Sequence, residues 1–149
     1  MVWKPNVTVA AIVEQAGRFL FVEEQADDRL VLNQPAGHLE PGESLETAVV
    51  RETLEETAHY FRPAGLVGVY RWPHPSRDIT YLRFAFYGTA DGPAPGRVLD
   101  AGIIQALWLT PEELEAQAHR HRSPQVRLCV HDYLRGQRFP LDLLCDVRS

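Results

Sequence analysis

Cysteine is scarce in this chain: Cys129 and Cys145 are the only two among 149 residues. They stand in no metal-ligand spacing, and they read as two reduced structural thiols rather than a disulfide framework. Positive charge is in short supply as well. A net charge of −5 works against non-specific binding to nucleic acid, which needs a positive field. A phosphorylated small molecule stays admissible where a cation supplies that charge locally. No stretch approaches the roughly 18 apolar residues that cross a bilayer. The opening MVWKPNVTVA lacks a charged segment followed by a long apolar run. No internal repeat, low-complexity tract or interdomain linker is present. The expectation is a cytoplasmic protein with no membrane or nucleic acid polymer as partner, folded as a single domain over residues 1–149.

What is there is ordinary in bulk, 45% hydrophobic and 23% charged, and long enough to bury a proper core. Residues 6–13 (NVTVAAIV) form a β-branched run, 15–18 (QAGR) a turn, and 19–23 a second strand, together a hairpin. The polar segment 23–29 (EEQADDR) reads as a loop and 30–33 as a short strand that Pro35 ends. Strands follow at 66–72 and 79–89, joined by the Pro-rich 72–78, and a third at 103–109 after the loop 91–96. Thr110 with Pro111 opens a helix through about Ala118, and Ser123 with Pro124 opens another that ends near Gly136. The apolar tail 139–147 should pack back on the domain. Strands on both sides of a central helix, with hairpin connections, predict an α/β or α+β sandwich with a mixed sheet.

The central helix is the unusual element. It lies within 37–59, GHLEPGESLETAVVRETLEETAH, with Ser44 as N-cap and helix from about Leu45 to Ala58. At about 100° per residue, Leu45, Ala48, Glu52, Glu55 and Glu56 share one face, so a core-facing stripe turns acidic halfway along. Val50 and Leu54 cover the opposite side. Carboxylates clustered in a partly buried place either rise in pKa or are neutralised by a cation, and hard divalent ions with oxygen ligands suit them.

Gly37, Glu43, Arg51, Glu52, Glu55 and Glu56 also stand in a fixed spacing: Gly, five residues, Glu, seven residues, Arg-Glu, two residues, Glu-Glu. Six such matches arise by chance at about 10⁻⁷ per start point, with each residue type near 6–7% of an average protein. This pattern resembles the box of the Nudix hydrolases. Ala58 departs from it where the family has glycine, and Thr53 where it has an aliphatic residue. Ala58 takes a left-handed helix-ending conformation less readily, at a cost of roughly 1 kcal/mol, so the helix is expected to run on or end differently. Thr53 should project beside the carboxylate face. The resemblance implies a Nudix fold, an α/β/α sandwich around a mixed β-sheet. It also implies hydrolysis of diphosphates linked to another group, dependent on Mg²⁺ or Mn²⁺. On that reading Glu52, Glu55, Glu56 and the Gly37 carbonyl hold metal, and Glu52 or Glu55 is the general base. Arg51, poorly aimed at the metal, pairs with Glu43 to hold loop and helix in register.

Further segments, among them KPNVTVAAIV (4–13), LNQPAGHLE (32–40), LRFAF (82–86), RSP (122–124) and GQRFPL (136–141), look like the bacterial NudJ-type phosphatases. That subgroup implies hydroxymethylpyrimidine diphosphate, thiamine diphosphate and nucleoside tri- and diphosphates as substrates, with phosphate released. Outside the box, Arg83 on an apolar strand contacts either phosphate or a carboxylate partner. Asp100 is either a further metal oxygen or an ordinary loop aspartate. Trp72 and His74 either stack on a heterocycle or pack their loop. Arg122 belongs to a basic run, 119–122, that is either a solvated helix end or a phosphate contact. Glu23 and Glu24 read as strand-end charges. Two other functions compete: a nucleotide-sanitising or nucleotide-sugar hydrolase, and a non-catalytic ligand sensor, against which the intact box carboxylates speak. The active form is expected to be a monomer or homodimer.

Overall fold

β-branched and aromatic runs in this chain form eight strands, and the computed structural model describes them within residues 1–148. Strand β1 (Asn6–Gln15) is buried on both faces, as a strand flanked by helices must be. Its odd residues Val9, Ala11 and Val13 pack with Ala48 and Val49 of helix α1 (Leu45–Thr57). Its even residue Ile12 packs with Val126, Cys129 and Val130 of helix α3 (Pro124–Leu134) and with Leu114 of α2 (Pro111–Ala116). The result is the expected α/β/α sandwich around a mixed eight-stranded sheet.

Register explains how that sheet opens. A two-residue turn at Ala16 and Gly17, both with positive φ, joins β1 to β2 (Arg18–Ala26), and such turns match the strand twist. Only Glu14 and Gln15 of β1 pair with β2. Earlier on the same edge, Thr8, Val9 and Ala10 pair instead with β4 (Ala36–His38). So β2, with β3 (Arg29–Asn33) and β7 (Ile103–Leu109) on its two edges, diverges from the rest. On the other edge of β1, β6 (Thr80–Asp91) runs parallel and β5 (Tyr60–Pro73) antiparallel to β6. The split between β4 and β2 leaves room for a cavity.

Several expectations need correction. The segment 23–29 is strand and tight turn, since β2 continues to Ala26 and Asp27 and Asp28 adopt positive φ, which short polar side chains tolerate. Helix α2 stops at Ala116 and a 3₁₀ turn at Ala118–Arg120 follows. Ala58 does take the left-handed conformation, φ 59° and ψ 21°, and its N–H caps the Leu54 carbonyl. Burial of its methyl group and the acceptance of the Ala94 N–H by its carbonyl hold it there. Thr53 is fully buried, its hydroxyl donating to the Val49 carbonyl. His59 is buried edge-on against Trp108. The tail packs back as expected, through β8 (Phe139–Pro140) on β5 and through Leu141 and Leu144. Cys129 is buried, Cys145 exposed. No helix among the described residues is long and apolar enough to cross a membrane.

Phe86 on β6, wholly buried in the cluster it shares with β1 and α1, anchors the face that carries the acidic helix. Phe86→Ala is expected to lower unfolding free energy by about 3–5 kcal/mol, read from urea denaturation midpoints.

Candidate active site

Helix α1 starts where Ser44 accepts the Thr47 N–H at 3.1 Å, with residues 39–43 folded back over its first turns. One guanidinium ties these pieces together. Arg51 donates to both carboxylate oxygens of Glu43, at 3.0 and 2.6 Å, and to the carbonyl of His38 at 3.1 Å. Its Nη1 reaches Glu52 at 2.7 Å and Glu55 at 3.0 Å. The expected Arg51–Glu43 pairing is thus present, and Arg51 also lies against two of the acidic residues, closer to them than expected. Hydrogen bonding to Arg51 holds the Glu43 carboxyl below its ordinary pKa, and Glu43 in turn keeps Arg51 firmly charged.

Glu52 and Glu56, one turn apart, face the split in the sheet. They line a cavity of about 510 Å³ together with Gly37. A Cβ on residue 37 would fall 2.1 Å from the Glu52 Cδ, so only glycine lets β4 pass this close to the carboxylate. Burial pushes the Glu52 carboxyl up, and Glu55 and Asp100 add to this against the opposing pull of Arg51. Glu56 is more enclosed. Burial, reinforced by the charges of Glu24, Glu52 and Asp100, raises it to about 9, although it accepts the Ala36 N–H at 2.9 Å.

Could these residues hold a cation? Among the described residues, no three acidic, histidine or cysteine side chains converge on one coordination centre as they stand. Arg51 Nη1 occupies Glu52 Oε1 and Glu55 Oε1. The donor set nonetheless fits a hard divalent ion: it is all oxygen and crowded. Glu55 does not line the cavity. Asp100 is exposed and outside the cavity lining, and its backbone N–H donates to the Glu55 carbonyl at 3.0 Å.

The rest of the cavity wall comes from β2, β3, β5, β6 and the start of α3. Arg83 is buried and has no carboxylate partner among the described residues, against one of its two readings. Its Nη atoms donate to Gln34 Oε1 at 2.8 Å and Asn33 Oδ1 at 3.0 Å, which are neutral, so its charge is not cancelled locally. Arg122 lines the cavity but is tied to Glu24 at 2.7 Å. Glu23 likewise bonds Arg120 at 2.6 Å, so neither glutamate is a free strand-end charge. Trp72 belongs to β5 rather than to a loop, and lines the cavity with His74. Sequence reasoning took Glu24 for a strand-end charge and passed over Tyr81, and both are in the lining. An acidic pair continuing a β-run was a usable signal for the first; Tyr81, on the strand face of Arg83, was one for the second.

A loop–helix carrying glycine, an arginine clamp and cavity-facing glutamates, set against a split mixed sheet, defines a Nudix hydrolase. The NUDIX domain model matches residues 3–129, and the chain belongs to that family. It is 38% identical over 144 residues to "Phosphatase NudJ" of Escherichia coli strain K12, covering 97% of this chain and 93% of the relative. A solved "NUDIX hydrolase from Nitrosomonas europaea" shares 50% identity at a TM-score of 0.94, covering 97% of this chain and 98% of that one. The "MutT NUDIX hydrolase from Burkholderia pseudomallei" is alike in fold alone, at 20% identity, a TM-score of 0.74, and coverage of 87% and 98%.

Two outcomes follow from this geometry. Gly37→Ala should displace the Glu52 carboxylate and lower kcat/KM about hundredfold. Its denaturation midpoint should move little, because the colliding group is the end of a side chain. In chelator, the Glu56 contribution is fully present below its unfolded pKa, about 4.5, and lost as pH rises through about 9. Thermal melts should therefore fall from pH 5 to 9, and Glu56→Gln should flatten that slope. An added divalent cation should restore stability at the alkaline end.

Proposed function

We propose that this protein, as one domain over residues 1–149, hydrolyses a phosphoanhydride bond in small diphosphate substrates and releases phosphate. The substrates proposed are hydroxymethylpyrimidine diphosphate, thiamine diphosphate and nucleoside tri- and diphosphates. The observation that carries the reading is the shared cavity of Gly37, Glu52 and Glu56 with the uncancelled charge of Arg83 on its wall. One end suits a cation and the other an anion, which is what a metal-bound diphosphate needs. The NudJ likeness over 97% of the chain supports the choice of a phosphatase.

Glu52, Glu56 and the Gly37 carbonyl would hold Mg²⁺, with Mn²⁺ as an alternative, and Glu55 would join them once its side chain turns from Arg51 toward the cavity. The ion would neutralise phosphate oxygens and acidify water. Arg51, held by Glu43, positions Glu52 and Glu55 and keeps both from mutual repulsion. Water attacks the terminal phosphorus, the bridging P–O bond breaks, and the departing group keeps the bridging oxygen. The proton of the attacking water passes to Glu52 or Glu55. Arg83 and, once it leaves Glu24, Arg122 bind substrate oxygens, while Trp72 borders the non-phosphate end. The protein acts in the cytoplasm as a monomer or homodimer.

The test is a turnover assay with Mg²⁺ that reads phosphate and pyrophosphate separately. Phosphate release is expected, and Glu52→Gln and Glu55→Gln should each lower kcat by about 10² or more. Turnover equal to wild type in both variants would sink the mechanism, and pyrophosphate as sole product from a nucleoside triphosphate would replace the reaction with internal cleavage.

A further inference from the structure

The cavity has a chemically distinct end away from Glu52 and Glu56. Strand order β4–β1–β6–β5 sets the sequence of groups along it. At strand spacings of about 4.8 Å, Gly37 on β4 lies roughly 10 Å from β6 and about 14 Å from β5. On those two far strands, Tyr81 and Trp72 are direct cross-strand partners. Their rings stack with centroids 5.8 Å apart and planes at 17°. His74 flanks Trp72 at 5.2 Å and His38 flanks Tyr81 at 6.5 Å, and all four rings line the cavity. An aromatic pair serving only as core would be buried, but Tyr81 and Trp72 are each only partly buried.

The wall beside this pair is polar in a particular way. Arg83 stands two residues from Tyr81 on the same face of β6. Arg83 Nε and Gln125 Oε1 are the buried side-chain atoms without a partner among the described residues, and both residues line this cavity. One is a donor and the other an acceptor. A substrate that carries both acceptors and donors can satisfy the two, and the Gln125 amide is held only by a 3.4 Å contact to Ser123. An alkyl chain satisfies neither.

We propose that Tyr81 and Trp72 form a stacking platform for a flat heteroaromatic ring on the substrate, with Tyr81 setting selectivity for heteroaromatic over alkyl diphosphates and inorganic polyphosphate. This rests on the hydrolase reading above and adds Tyr81 as a specificity-determining residue. Stacking is sequence-tolerant because every heterocycle has a π-face, so one platform serves pyrimidine, thiazolium-linked pyrimidine and nucleobase substrates alike.

The test has a kinetic arm and a binding arm. In the first, kcat/KM is measured for thiamine diphosphate, a nucleoside triphosphate and inorganic tripolyphosphate. Tyr81→Leu should lower the heteroaromatic-to-tripolyphosphate ratio about five- to hundredfold, through KM, and Tyr81→Phe should keep the wild-type ratio. In the second, cytidine monophosphate is titrated while tryptophan emission is followed. Quenching is expected in the wild type, lost in Trp72→Phe, and shifted to about five- to hundredfold higher concentration in Tyr81→Leu, whose fold is checked by circular dichroism. An unchanged ratio in Tyr81→Leu, or equal cytidine monophosphate affinity in wild type and Tyr81→Leu, overturns the platform. Intact quenching without hydrolysis of any substrate would leave the platform standing and remove the hydrolase reading instead.

Discussion

Everything at the acidic end depends on how one guanidinium is shared. Arg51 ties the loop before α1 through Glu43, strand β4 through the His38 carbonyl, and the helix itself through Glu52 and Glu55. Four carboxylates sit near it, and without its charge their repulsion would push the loop and helix apart. The bidentate Arg51–Glu43 contact is also directional, so it fixes orientation as well as proximity. With β4 held against the helix, the absence of a side chain at Gly37 becomes the condition for Glu52 to face the cavity.

The second constraint is the split edge of β1. A strand edge offers one row of hydrogen-bonding groups, and here two different strands use successive parts of it. Their divergence opens the cavity between β4 and β2. Its walls then carry opposite electrostatics: carboxylates from α1, and the uncancelled Arg83 from β6. The two fields are complementary to a phosphate bridged to a cation.

Much of the fold was legible in local pattern. The N-cap Ser44, the Thr110–Pro111 pair and the Ser123–Pro124 pair mark helix starts where the structure has them, because capping chemistry is local. Strand β7 was bounded correctly for the same reason, as a short apolar run between turn signals. The segment after Val22 was misread because its glutamates look solvated in isolation. Their partners Arg120 and Arg122 lie 97 and 98 residues away. Arg83 was undecided for a like reason, since the amides that hold it come from positions 49 and 50 residues distant.

The spacing of Gly37, Glu43, Arg51, Glu52, Glu55 and Glu56 was determined by the sequence alone, because helical periodicity and a short loop leave few ways to place them. The family followed from that spacing. Only the tertiary structure decided which of those groups reach the cavity: Glu52 and Glu56 do, whereas Glu55 stays outside its lining beside Arg51. It also decided that the far wall is Tyr81 on Trp72, through a register between β5 and β6 that periodicity does not specify. Chemistry within one helix is set by rise and rotation per residue, but chemistry between elements is set by which strand edges meet.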